Sequence, residues 1–213
     1  MLLELSRQED FELLPENRKY FDGCEWNVLA RVGGEKPYQT FFKMGYSDSG
    51  LYFLFHCTDR KISCSEMKDG DDLYTEDVLE IFLRPDSRYP VYLEYELSPL
   101  NKELVLMVSH NGELFYGWKP FHYEGGRKTR HITWSEKGAL RPGRELMSWE
   151  AMCYLPFSLL EGIVPAAPVP GTVWTGNIFR IDYDGQDISR YGWDTSCGTE
   201  FHDYEKFGEI RFI

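Results

Sequence analysis

Apolar and polar side chains alternate with a period of two through much of this chain, and this pattern restricts the fold more than any other feature. Residues 51–57 and 91–97 show the alternation most clearly. Side chains two positions apart lie on the same face of a strand, so each segment is predicted to be a strand with a buried face. The chain is therefore expected to bury its core between sheets rather than between helices.

Eight further segments have the composition of strands, and together the segments predict about ten short strands. They are 26–32, 38–46, 78–84, 103–109, 128–134, 145–154, 173–183 and 208–212. Turns rich in Gly, Asp, Asn and Pro separate them, and no long segment has a period of 3.6. We predict an all-β fold, a two-sheet antiparallel β-sandwich of the jelly-roll-like type, with the last strand paired inside one sheet. Helix is expected for only a turn or two, at 9–16, 156–160 and 203–207.

A length of 213 residues suits one all-β domain, and we predict a single domain over residues 1–213. The proline-rich segment 164–171 is interpreted as a loop that crosses between the sheets. Tryptophans within strand patterns, Trp26, Trp134 and Trp149, are expected in the core, whereas Trp118 follows a glycine and is a weaker candidate for an exposed ring.

Charge and cysteine content limit the partners and the compartment. The net charge of −12 disfavours nucleic acid and anionic membrane surfaces as partners. The N-terminal residues do not form a signal peptide, and no apolar run is long enough to cross a membrane. The five cysteines are odd in number and include no Cys-x-x-Cys pair, which favours free thiols in the cytoplasm. The protein would instead be secreted if a leader had been removed.

Two segments combine aromatic side chains with carboxylate, Asn and Arg groups. One is 73–83, Leu-Tyr-Thr-Glu-Asp-Val-Leu-Glu-Ile-Phe-Leu, and the other is 174–182, Trp-Thr-Gly-Asn-Ile-Phe-Arg-Ile-Asp, followed by Trp193 and a closing Phe-His…Phe-Gly strand at 201–212. Aromatic faces pack against the C–H faces of sugar rings, and the polar groups bind sugar hydroxyls. These segments therefore favour carbohydrate binding.

The order of these elements resembles that of the family 9 carbohydrate-binding modules, and the resemblance spans nearly the whole chain. It implies a β-sandwich that binds a mono-, oligo- or polysaccharide without catalysis. It also implies that Tyr74 stacks on the sugar where a Trp is more usual in the family. Family members usually accompany a catalytic domain, so a glycoside hydrolase is the expected partner, in the use of polysaccharides or glycans.

Glu80 is the first candidate site residue, because it falls on the strand face of Val78 and Phe82, where the pattern predicts an apolar side chain. A carboxylate among apolar groups needs hydrogen-bond donors or a counter-ion. Sugar hydroxyls could supply the donors, and an internal salt bridge to Arg180 is the alternative. Both interpretations remain open from the sequence.

Arg180 and Trp193 complete the predicted site. Arg180 shares a strand face with Trp174 and Ile178, and its planar guanidinium suits vicinal hydroxyls, whereas Asn177 points to the opposite face and is expected to be structural. Trp193 follows a glycine in a predicted loop, so its ring could be exposed and clamp a sugar ring against Tyr74. The competing expectation is that Trp193 closes the end of the sandwich as a core residue.

Other functions have weaker support. A glycosidase needs two opposed carboxylates, and Asp77 and Glu80 face opposite sides of one strand. The motifs of common hydrolases and nucleotide-binding proteins are absent, and the five histidines have no ligand spacing. An enzyme that uses Glu80 as acid or base and a structural accessory domain remain the alternatives. No cofactor is predicted; the acidic loops 69–72 and 182–187 are interpreted as solvated turns, with a structural calcium as the alternative.

Overall fold

The computed structural model describes residues 1–120, 123–164 and 166–213. Phe121, His122 and Pro165 therefore lie outside the described residues. Pro165 belongs to the predicted loop 164–171, and His122 is one of the five histidines considered above. Within these ranges the chain forms thirteen strands: β1 (Leu2–Leu5), β2 (Asn27–Gly33), β3 (Thr40–Tyr46), β4 (Gly50–Thr58), β5 (Val78–Arg84), β6 (Val91–Leu97), β7 (Glu103–His110), β8 (Phe115–Trp118), β9 (Arg130–Trp134), β10 (Ser148–Pro156), β11 (Val173–Asp184), β12 (Asp187–Gly192) and β13 (Gly208–Phe212).

The helices in the described part of the chain are short 3₁₀ segments. They are Pro15–Phe21, Leu73–Thr75, Gly125–Arg127, Phe157–Leu160, Thr195–Cys197 and Tyr204–Lys206. None of them is long and apolar enough to cross a membrane.

The strands form two packed layers that β2 joins. In the first layer the order is β8-β7-β6-β5-β11-β12, with β13 beside the start of β11 and β1 beside β13. In the second layer the order is β3-β4-β10-β9. The first half of β2 pairs with β3 and its second half pairs with β12, so one strand takes part in both layers. The predicted all-β sandwich is confirmed, and its pairings are antiparallel except that of β1 with β13.

The main core lies between the layers and is built by the alternation seen in the sequence. Leu79, Ile81 and Leu83 of β5 point into it, as do the corresponding apolar residues of β3, β4, β6 and β10. Burying an aliphatic or aromatic side chain of this size contributes about 1.5–3 kcal/mol, so this layer-to-layer contact is the main source of stability.

A second apolar cluster covers part of the other face of the first layer, which we call the outer face. Val78 and Phe82 of β5 pack there against Phe179, and Phe201 and Phe207 from the C-terminal segment lie over them. The C-terminal segment therefore covers one part of the outer face. The part of β5 and β6 around Glu80 has a different, acidic character.

Strand β13 lies between β11, with which it is antiparallel, and β1, with which it is parallel. This confirms the prediction that residues 208–212 pair inside a sheet. The five cysteines, all of them within the described residues, are free thiols.

Candidate functional site

The candidate site begins with Glu80, whose position on β5 agrees with the sequence pattern. Leu79 and Ile81 on either side of it point into the main core, and Val78 and Phe82 point to the outer face. Because side chains alternate along a strand, Glu80 also faces outward. It is nevertheless almost completely buried.

Two further carboxylates lie beside Glu80 on the neighbouring strand. Glu96 of β6 is directly opposite Glu80, and Glu94 is opposite Phe82, two residues further along β5. All three carboxylates are buried, and Glu96 is 0% exposed. Neither carboxylate oxygen of Glu96 accepts a hydrogen bond of good geometry from the described residues, and its nearest polar neighbours are the Glu94 carboxyl and the Tyr74 backbone amide. We call Glu80, Glu94 and Glu96 the carboxylate cluster.

Sequence reasoning missed Glu94 and Glu96, although a signal for them was present. Both alternate with Leu93, Tyr95 and Leu97, which point into the main core. The two glutamates therefore interrupt an outer strand face in the same way as Glu80. The pattern within one strand does not predict the register in which β5 pairs with β6, and this register brings Glu80, Glu94 and Glu96 together.

Burial and mutual repulsion favour the protonated forms of the cluster. Burial raises the pKa of Glu80 well above its ordinary value, and the negative charge of Glu94 raises it further. Burial raises the pKa of Glu94 to about 7. The pKa of Glu96 is raised by burial and then by the charges of Glu80 and Glu94. Arg190 opposes the effect on Glu80.

Tyr74 lies near Glu94 and Glu96 of the carboxylate cluster. It belongs to the 3₁₀ segment Leu73–Thr75, in which Leu73 is buried and Tyr74 is 44% exposed. The hydroxyl of Tyr183 donates a hydrogen bond of 2.9 Å to the backbone carbonyl of Tyr74. Burial raises the pKa of Tyr74, and the nearby charges of Asp72 and Glu96 add to this effect. The structure thus brings Tyr74 and Glu80 together on the outer face.

Arg180 does not reach this site, and the predicted pair of Glu80 with Arg180 is wrong. Arg180 is directly opposite Leu79 in the pairing of β11 with β5, so its side chain points between the layers. Its guanidinium donates hydrogen bonds to the Thr58 carbonyl at 2.7 Å and to Asp59 at 3.0 Å, and also pairs with Asp182. The buried guanidinium needs these acceptors, so it is a structural group on the opposite face of the sheet from Glu80.

Trp193 is a core residue, and the prediction of an exposed clamp with Tyr74 is wrong. Its side chain is 3% exposed and belongs to the main core, where its ring contacts Phe42 edge to face. A Cβ atom at Gly208 would lie 2.6 Å from the Trp193 ring, which shows how closely the backbone packs on it. Asn177 holds the adjacent turn by accepting from the Asp194 amide at 2.9 Å, in agreement with its predicted structural role.

The other tryptophans divide between core and surface. Trp149 is fully buried as predicted and Trp134 is half-buried, but Trp26 is exposed, so its assignment to the core is wrong. Trp118 on β8 is 56% exposed, and its ring lies 6.1 Å from that of Tyr116. This exposed pair is separate from the carboxylate cluster in sequence, and it is a second aromatic surface that a sugar could contact.

The acidic loops direct their carboxylates toward the chain's own groups. Asp182 pairs with Arg180, and Asp184 accepts a hydrogen bond of 2.9 Å from Tyr38. Asp69 and Asp71 accept hydrogen bonds from backbone amides. Across residues 1–120, 123–164 and 166–213, no group of three Asp, Glu, His or Cys side chains is arranged to hold a metal ion.

The fold is similar to those of solved carbohydrate-binding proteins. A candidate carbohydrate-binding protein from Bacteroides uniformis ATCC 8492 matches with a TM-score of 0.79 and 17% identity, covering 100% of this chain and 99% of the other. A family 9 carbohydrate-binding module from Caldicellulosiruptor kristjanssonii matches in two complexes, each with a TM-score of 0.68 and over 100% of this chain. The cellotriose complex is 15% identical with 93% of that chain covered, and the glucose complex is 16% identical with 96% covered.

No family model and no curated protein matches the sequence. At identities below 20% the structural matches establish the fold. The chain therefore has a fold like that of the family 9 carbohydrate-binding modules, and its function must be argued from its own residues.

Proposed function

We propose that the protein binds a carbohydrate, without catalysing a reaction, where Tyr74 meets the carboxylate cluster. The observation that carries this proposal is Glu96, a fully buried carboxylate with two oxygens that lack hydrogen-bond partners in the described structure. A buried carboxylate without donors is costly, and a ligand that supplies donors removes that cost. Sugar hydroxyls are such donors, and the half-exposed ring of Tyr74 offers the apolar face that a pyranose ring packs against.

The structural likeness supports a sugar as the ligand class. The two Caldicellulosiruptor complexes contain cellotriose and glucose, which makes glucose and its β-linked oligomers the natural first ligands to titrate. Because Trp193 lies in the core, the sugar would rest on one aromatic face rather than between two. One ring face supports a weaker and more exposed complex than a clamp would.

Calorimetric titration of wild type and Tyr74→Ala with glucose, cellobiose and cellotriose tests the proposal. Stacking on one aromatic ring contributes about 1–3 kcal/mol, by analogy with planar ligands on aromatic side chains, so the substitution should remove most of a weak affinity. Tyr89→Ala is the matched control, because Tyr89 is 57% exposed in the turn between β5 and β6. Equal affinities of the three proteins, or no binding of any sugar from a broader panel, would contradict the proposal.

Absence of catalysis is the second part of the proposal. The three carboxylates lie side by side on adjacent strands of one face, whereas glycosidases place two carboxylates on opposite sides of the bond that is cleaved. The pKa of Glu94, about 7, would suit a general acid, which keeps an enzyme as the second candidate. We expect no sustained turnover of aryl glycosides; turnover that is lost in Glu80→Gln would favour the enzyme.

The biological use that we propose is polysaccharide or glycan utilisation, with a glycoside hydrolase as the partner. The support is the resemblance to modules that usually accompany a catalytic domain. If this is correct, the protein should increase the rate at which a matched hydrolase degrades an insoluble glycan, and Tyr74→Ala should reduce that increase. An unchanged rate with a glycan that the protein binds would contradict the partnership.

A further inference from the structure

The carboxylate cluster carries more negative charge than its surroundings balance. Glu80 and Glu96 are directly opposite in the β5–β6 pairing, a position in which Cβ atoms are about 4.5–5.5 Å apart. Glu94 is diagonal to Glu80 on the same face, and Asp72 adds a fourth negative charge beside Tyr74. The positive charge that opposes them is that of Arg190 on β12, which acts on Glu80. Like charges this close cannot all remain ionised without a partner.

Three kinds of partner could balance the charge. Protons can do so, and the raised pKa values of the three glutamates agree with a partly protonated cluster in the free protein. A calcium ion needs six to eight oxygens at about 2.3–2.6 Å, and the described residues include no side-chain group arranged for a metal. An organic ammonium group supplies a positive charge together with three hydrogen-bond donors.

We propose that the ligand of this site is an amino sugar, whose protonated amine binds the carboxylate cluster while its ring packs on Tyr74. The proposal rests on the carbohydrate-binding function proposed above and specifies the class of sugar. The amine donates to the unpartnered oxygens of Glu96 and is also close enough to interact with Glu80 and Glu94. A neutral sugar at the same position supplies hydroxyl donors but leaves the negative charge unbalanced.

The aromatic neighbours favour an amino sugar over a simple amine. Tyr74 is 44% exposed and lies near Glu96 and Glu94, and the hydroxyl of Tyr183 donates a hydrogen bond to its backbone carbonyl. A pyranose ring uses this face, whereas a small amine without a ring gains little from it. The other ionisable groups that interact with the site include Asp72, Tyr92, Tyr183 and Arg190.

The test compares sugars of the same size with and without a protonated amine. Glucosamine, N-acetylglucosamine and glucose are titrated calorimetrically at pH 6.5, together with the disaccharides chitobiose and cellobiose, in two buffers of different ionisation enthalpy. We expect glucosamine and its β-linked dimer chitobiose, which carry protonated amines, to bind at least tenfold more tightly than glucose, cellobiose and N-acetylglucosamine, whose amide is neutral, and to release protons from the cluster on binding. Ethanolamine and calcium chloride alone should bind at least tenfold more weakly than glucosamine.

Variants locate the effect. Glu96→Gln should bring the affinity for glucosamine to within about threefold of that for glucose, and Glu113→Gln, at an exposed loop position, should leave the tenfold preference intact. Melting curves of both variants check folding, and the wild-type preference tests the proposal even if Glu96→Gln does not fold.

The outcomes separate this inference from the function on which it rests. Neutral and amino sugars that bind equally, with loss of binding in Tyr74→Ala, would overturn the inference and leave the proposed function standing. Tight binding of ethanolamine or calcium would overturn it by showing a different cation. No binding of any sugar would overturn both.

Discussion

At the scale of single residues, Trp193 and Tyr74 are aromatic side chains in opposite environments. Trp193 is buried against Phe42 and Gly208, and truncating a buried Trp costs about 3–5 kcal/mol of folding free energy. We therefore expect Trp193→Ala to melt far below wild type and Tyr74→Ala to melt close to it. Chemical denaturation of the two variants measures the difference. A Trp193→Ala protein as stable as wild type, but without sugar affinity, would show that the ring binds ligand.

Glu94 is one of several buried carboxyl groups, with Asp77 and Asp182 among the others, whose raised pKa values make stability depend on pH. Its pKa is raised by burial to about 7, from an ordinary value of 4.5. The native state therefore holds a proton that the unfolded state has lost, so the stability that this group contributes is full below pH 4.5 and is lost as the pH rises through 7. Each unit of pKa difference corresponds to about 1.4 kcal/mol, which gives a loss of about 2–3 kcal/mol between pH 5 and 8.

Glu94→Gln should remove this part of the dependence, because the amide does not titrate, whereas Asp77 and Asp182 continue to titrate in the variant. Urea unfolding at pH 5 and pH 8 compares the variant with wild type, and Glu113→Gln at the exposed loop position is the control. Identical pH dependence in wild type and Glu94→Gln would mean that Glu94 is ionised normally in the native protein.

At the scale of elements, the long strand β11 holds the first layer together, because it pairs with β5 on one side and with β13 and then β12 on the other. Gly176 lies where the β13 and β5 pairings overlap. A Cβ atom there would lie 2.5 Å from the carbonyl oxygen of Phe82 and 2.8 Å from Ile210. Overpacking of this kind costs about 1–3 kcal/mol.

Gly176→Ala should therefore lower the free energy of unfolding by about 1–3 kcal/mol. Gly23→Ala is the matched control, since nothing lies within 4 Å of a Cβ atom at Gly23. Chemical denaturation of both variants makes the measurement. A Gly176→Ala protein that is as stable as Gly23→Ala would show that the strands can separate there without cost.

Strands with one continuous apolar face were predictable from the sequence. The strands β1, β8 and β12 were not predicted. The bounds of β5, β6 and β13 agree with the prediction, because their inward side chains alternate without interruption. Strand β1 has four residues and was missed, β8 is exposed along its length, and β12 contains polar and charged side chains. The helix predicted at residues 9–16 is wrong; the 3₁₀ segment at Pro15–Phe21 begins where that prediction ends.

The candidate site was predictable in part for a related reason. Alternation within one strand placed Glu80 on the outer face, and proximity along the chain placed Tyr74 near it. The direction of Arg180 depends on the register between β11 and β5, and the burial of Trp193 depends on what covers its loop. Both are properties of tertiary packing that a single strand pattern does not contain.

At the scale of the whole molecule, the core is held without cross-links. All five cysteines are free, and burial raises the pKa of the Cys57 thiol to about 12, which disfavours the reactive thiolate. Thermal melts with and without a reductant should therefore give the same midpoint. A midpoint that falls by many degrees on reduction would indicate a disulfide, because removing a native disulfide typically costs about 2–5 kcal/mol.

We expect a sugar to bind at Tyr74 and the carboxylate cluster rather than elsewhere on the molecule. Titration with glucosamine and with glucose, followed through the amide chemical shifts by nuclear magnetic resonance, locates the binding site. The largest changes are expected at residues 72–76, 78–82 and 94–96. Changes confined to the exposed aromatic pair of β8, Tyr116 and Trp118, or to the residues around Trp193, would contradict it.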